Sequence, residues 1–112
     1  MAKGNIYKVD HDLPSRYEIF DELISTDEVL IERIISSGQS TPEGMWLEQE
    51  RDEWIILLKG KAEISFKTGE KFLLNEGDYV LIPSGSRHRV DKTSKDPFCI
   101  WMAFHGNLKE KE

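Results

Sequence analysis

The run Gly77-Asp78-Tyr79-Val80-Leu81-Ile82-Pro83-Ser84-Gly85-Ser86-Arg87-His88 leaves the backbone few choices. Gly77 follows Asn75-Glu76 and supplies a turn position that tolerates positive φ, while Tyr79 to Ile82 is aromatic and β-branched enough for a strand. Pro83 cannot donate to a ladder and ends that strand, and Gly85 lets the chain reverse at once. The reversal predicts that His88 opens the next strand at a set place on the sheet, aimed at whatever lies across it. Glycine and proline concentrated around one histidine mark a site.

The rest of the chain is punctuated in the same way. Asn5 to Asp10 reads as a short opening strand. Asp12-Leu13-Pro14 reads as a helix start, and Tyr17, Phe20, Leu23 and Ile24 recur at helical spacing, which predicts a short helix over Ser15 to Ile24. From Val29 the pattern turns to strands. Val29 to Ile35 is one and Met45 to Glu48 a brief second, followed by a polar turn over Glu50-Arg51-Asp52. Trp54 to Leu58 is apolar on both faces, as in a strand covered on both sides. Lys61 to Phe66 alternates, which puts Ala62, Ile64 and Phe66 on a core face. Lys71 to Leu74, Tyr79 to Ile82, Arg87 to Val90 and Phe98 to His105 complete the series. Short strands at regular spacing predict an all-β sandwich or closed barrel. The expected division is a flanking strand and helix over 1–28, a barrel over 29–106 and a frayed charged tail over 107–112.

At 112 residues the chain is long enough for one domain with one modest core. A formal net charge of -6 argues against nucleic acid or an anionic membrane surface as partner. No run of about 20 apolar residues and no signal-peptide pattern stands in the sequence. The single cysteine, Cys99, lies in the apolar run Phe98-Cys99-Ile100-Trp101, reads as a packed core thiol and agrees with a reducing, cytoplasmic setting.

Two glycine-bracketed blocks, Gly44 to Gly60 and Gly77 to His88, together resemble the two signature motifs of the cupin superfamily, small jelly-roll β-barrels. The second block has the family spacing of Gly77, Pro83, Gly85 and His88, with Lys92 where an asparagine often follows. The first ends as the family does, with Glu53 and Gly60. The resemblance runs from about Val29 to Phe104 and implies a cupin-type jelly-roll barrel. Metal-binding members usually carry His-x-His shortly before the glutamate. Here those places fall on Trp46 and Glu48 or on Leu47 and Gln49, according to the spacing, so oxygen donors stand in for imidazoles.

The expected metal set is therefore Glu53 and His88 with Glu48 or Gln49, and His105 is a further imidazole at the end of the last strand. One imidazole with carboxylate and amide oxygens suits Mn²⁺, Fe²⁺, Ni²⁺ or Zn²⁺. A carboxylate in an apolar barrel must find a cation, accept hydrogen bonds or take up a proton. The alternative is thus a metal-free ion pair of Glu53 and His88 that holds two strands in register.

Trp46 is a candidate to stack on a substrate, whereas Trp54 and Trp101 read as core or subunit interface. Arg87 and Arg89 have the opposite parity to His88 and should point away from the pocket. There is no Gly-rich phosphate loop, no paired-cysteine zinc pattern and no Gly-x-Ser-x-Gly elbow. Two function classes stand: a metal-dependent cupin acting on a small molecule, and a ligand-binding or accessory barrel without turnover. A homodimer through the Trp54 to Leu58 strand accompanies either.

Overall fold

The computed structural model describes residues 1–109 as eight strands. These are β1 (Ile19–Ser25), β2 (Leu30–Ser36), β3 (Asp52–Lys59), β4 (Ala62–Phe66), β5 (Lys71–Leu74), β6 (Tyr79–Ile82), β7 (His88–Thr93) and β8 (Cys99–Gly106). A five-stranded sheet in the order β1-β2-β8-β3-β6 faces a three-stranded sheet in the order β5-β4-β7, with all pairings antiparallel. This is the expected jelly-roll barrel. No helix of the described residues is long and apolar enough to cross a membrane.

Alternation along each strand sorts the two faces. On β3, Glu53, Ile55 and Leu57 are buried while Trp54 and Ile56 are half-exposed. On β8, Trp101, Ala103 and His105 are buried with them. Ile55, Leu57, Ile64, Leu74, Ile82 and Trp101 meet between the sheets in one cluster. Cys99 is fully buried there as a packed thiol. On the outer face Trp54 touches Tyr79 and Phe104, with ring centroids 5.5 and 5.7 Å away.

The N-terminal region departs from expectation. Ser15 to Ile24 is not a helix; Ile19–Ser25 is the edge strand β1, paired with β2 from Ile19 opposite Ile35 to Ser25 opposite Leu30. A register shift between Glu22 and Ile24 breaks the two-residue alternation, which is why the apolar spacing imitated a helix. Tyr17, Phe20, Leu23 and Ile24 are all about half-exposed or more, so they form no buried helical face. Asn5 to Asp10 is also no strand. Arg33 reaches the carbonyls of Ile6 (3.2 Å) and Lys8 (2.8 Å), so a side chain rather than a ladder satisfies that backbone. Met45 to Glu48 reduces to one bridge between Leu47 and His88. Of the tail expected over 107–112, Asn107 to Lys109 is irregular, with Leu108 N–H bonded to Asp52 Oδ2, and the remainder lies outside the described residues.

Candidate functional site

The turn between β6 and β7 builds the site. Gly85 has φ +78°, and its N–H bonds the carbonyl of Gln49 at 2.8 Å. Two further bonds, Leu47 N to His88 O (2.7 Å) and His88 N to Leu47 O (3.0 Å), stitch the same two segments together. Asp52 fixes the turn from below: Oδ1 accepts from Ser84 N at 2.8 Å and Oδ2 from Leu108 N at 3.0 Å. The Ser84 bond, and then the Leu108 bond, hold the Asp52 carboxyl below its ordinary range against the opposing effect of burial, with Lys109 adding a little. The glycines and proline of the second motif thereby carry His88 and Gln49 to one place.

That place is the wall of a cavity of about 290 Å³ at the open end of the barrel. Register puts Glu53 opposite His105 on one side and Ile82 on the other. Glu53 is 7% exposed, and its Oε1 accepts a hydrogen bond from Gln49 Nε2. His88 Nε2 stands 4.0 Å from Oε1, and His105 Nε2 stands 3.6 Å from Oε2. His88 Nδ1 lies 3.0 Å from the carbonyl of Ser86, which only accepts, so Nδ1 carries a proton and Nε2 is left facing the cavity. His105 Nε2 donates to Glu32 Oε1 at 3.0 Å, with both side chains buried. The result is a row of carboxylate, imidazole, carboxylate, imidazole: Glu32, His105, Glu53, His88. Ile34, Ile55, Ile64, Val90 and Trp101 supply apolar wall around it.

Each residue singled out in the sequence now has a place. Glu53, His88, Gln49 and His105 come together. Gln49, rather than Glu48, reaches Glu53; Glu48 stands at the rim, where its carboxylate is 3.6 Å from Arg87. Trp46 lies outside the cavity lining, with Lys67 5.1 Å and Arg89 6.0 Å from its ring. Arg87 and Arg89 do not line the cavity either. The sequence reading missed Glu32, Glu18 and Asp52. Strand alternation held a signal for Glu32, which shares a face of β2 with Ile34.

As they stand, the candidate metal donors meet one another. His105 gives its Nε2 proton to Glu32, Gln49 presents an N–H to Glu53, and Glu48 is turned to Arg87. That leaves Glu53 and His88 with lone pairs toward one point. Among the described residues no three His, Cys, Asp or Glu side chains are grouped to hold one ion.

Comparison with known proteins agrees with the fold. The cupin domain profile matches residues 34–104. The structure of a proposed mannose-6-phosphate isomerase from Ralstonia eutropha JMP134 is 32% identical and superposes with a TM-score of 0.90, over 96% of this chain and 100% of that one. Quercetin 2,3-dioxygenase of Bacillus subtilis is 29% identical over 75 residues, 67% of this chain. The RCS-specific HTH-type transcriptional activator RclR of Escherichia coli is 38% identical over 47 residues, 42% of this chain. The chain spans only 22% and 16% of the lengths of these last two proteins.

Proposed function

The chain belongs to the cupin-domain family, and from that premise we propose that it binds a small organic molecule in the barrel and moves a proton on it, as an isomerase does. The observation that carries this reading is one buried carboxylate, Glu53, with an imidazole nitrogen 4.0 Å from one oxygen and another 3.6 Å from the second. Glu53 takes a proton from the carbon beside the carbonyl and returns it to the former carbonyl carbon, while His88 Nε2 takes the proton of the hydroxyl on that first carbon and returns it to the carbonyl oxygen, so that no net charge is left on the substrate. The two groups stand side by side on the cavity wall, where both can face adjoining atoms of one substrate. His105 stands between Glu32 and Glu53 and positions the latter, and the wall beside them is largely apolar. The Ralstonia relative, which matches over nearly the whole of both chains, supports the reaction class.

The test is hydrogen exchange. The protein is incubated in D₂O with mannose, fructose, mannosamine and pyruvate, and loss of the ¹H signal beside the carbonyl is followed by NMR. At least one compound should exchange, and Glu53→Gln should slow that exchange about 100-fold or more. A panel without exchange above buffer, or a Glu53→Gln variant as fast as the parent, would overturn the proposal. The match to a transcriptional activator favours a second reading, a barrel that senses its ligand without turnover. Under it a ligand raises thermal stability with no exchange in D₂O.

A further inference from the structure

Four glutamates, Glu18, Glu32, Glu48 and Glu53, line the cavity, and among the described residues no lysine or arginine does. The nearby cations are engaged elsewhere. Arg87 meets Glu48 at the rim, where both side chains are more than half exposed. Arg89 holds Asp91 at 2.8 Å and the carbonyls of Thr41, Pro42 and Met45. Arg33 is bound by Asp21 at 2.7 Å.

Most hydrogen-bond donors of the wall are spent in the same way. Trp101 Nε1 donates to Ser36 Oγ at 3.1 Å, and Ser36 Oγ donates to Glu18 Oε2 at 2.5 Å. Gln49 donates to Glu53 and His105 to Glu32, while His88 Nδ1 is bound to Ser86. His88 itself is 3% exposed, and its Nε2 faces the cavity beyond hydrogen-bond reach of Glu53. In the neutral imidazole with its proton on Nδ1, that nitrogen is an acceptor. The cavity therefore offers carboxylate oxygens and an imidazole lone pair, with the aromatic faces of Trp101 and Phe20 beside them. An anion brings further acceptors and like charge to four glutamates, and finds no lysine or arginine among the described residues of the wall to meet it. Hydroxyl groups bring donors, and an ammonium group adds opposite charge that both carboxylates and aromatic faces attract.

We infer that the cavity selects neutral polyhydroxy or cationic amino compounds and turns away phosphorylated ones. This rests on the reading of the cavity as a small-molecule site. It also separates the chain from the substrate carried in the Ralstonia relative's name, a sugar phosphate.

The test reads cavity charge without needing turnover. Cysteine is placed on the wall by Leu47→Cys, and in a second protein by Ile34→Cys, both in a Cys99→Ala background. Leu73→Cys, at a position 68% exposed and outside this cavity, is the control. Rates are compared for two methanethiosulfonate reagents of similar size, one carrying trimethylammonium and one carrying sulfonate. The ratio of cationic to anionic rate should be about 10-fold higher on the wall than at the control, and should fall when Glu18→Gln and Glu48→Gln are added. An equal or lower ratio at both wall positions would overturn the inference. Calorimetry with mannose 6-phosphate gives a second outcome: no binding up to about 1 mM is expected, and saturable 1:1 binding that Glu53→Gln abolishes would also overturn it. Should the wall carry the expected charge while D₂O exchange fails, only the proton-transfer reading falls.

Discussion

Replacing Gly60 by alanine isolates how tightly the barrel closes at the end away from the cavity. Gly60 has φ +93°, and a Cβ built there would lie 2.7 Å from Cys99 Sγ, 2.8 Å from Ser94 Oγ and 3.0 Å from the carbonyl of Phe98. Two costs add. The left-handed conformation costs an alanine about 1–2 kcal/mol. The contacts lie well inside van der Waals distance, and one is backbone, so strands must shift at about 1–3 kcal/mol more. Gly69 is the control, because it has φ +106° with nothing within 4 Å and should lose only the conformational part. Gly60→Ala should therefore unfold about 2–5 kcal/mol more easily than the parent, and Gly69→Ala about 1–2 kcal/mol. In a domain of this size that is a fall in melting temperature of roughly 10–20 °C against about 4–10 °C. Urea unfolding followed by tryptophan fluorescence measures both. Equal losses in the two variants, within about 0.5 kcal/mol, would refute the packing account.

Other outcomes follow from the same contacts. Burial alone would raise Asp21, but its bonds to Arg33 and His11 outweigh that and hold it below 3.8, and Asp52 is held below the same value by the Ser84 and Leu108 amides. A depressed carboxyl stabilises the fold above its unfolded pKa, and that contribution is lost as pH falls through the folded value. Stability should hold down to about pH 4 and drop below it, and Asp52→Asn should flatten the drop; an unchanged acid limb would contradict this. Ile64 is fully buried between the sheets, so Ile64→Ala should cost about 2–5 kcal/mol in denaturant titration. The outer face carries Trp54 and Phe104 beside Tyr79 and Leu81, the last two 66% and 49% exposed. We expect it to pair two copies, and a monomer by light scattering at micromolar concentration would rule that out.

The barrel was legible because its punctuation is local. Gly77, Pro83 and Gly85 fix two turns by backbone sterics alone, and Ala62, Ile64 and Phe66 show their face by alternation. β1 was not legible: the shift between Glu22 and Ile24 scrambles its alternation, and only pairing with β2 selects the strand. Within the site, Glu53 and His88 stand out by spacing. Whether Glu48 or Gln49 turns inward depends on long-range bonds from Leu47 to His88 and from Gln49 to Gly85, which no local pattern records. Glu32 escaped notice for a similar reason, since a glutamate in a strand reads as solvated until β8 brings His105 within 3.0 Å of it.

The most direct measurement is hydrogen exchange in D₂O on tag-free protein, before and after dialysis against a chelator. A Glu53 base flanked by His88 and His105 predicts a rate that chelation leaves unchanged and Glu53→Gln lowers about 100-fold or more. A rate that falls on chelation and returns with Mn²⁺, Fe²⁺, Ni²⁺ or Zn²⁺ would contradict the account and make Glu53 and His88 the ligands of a metal.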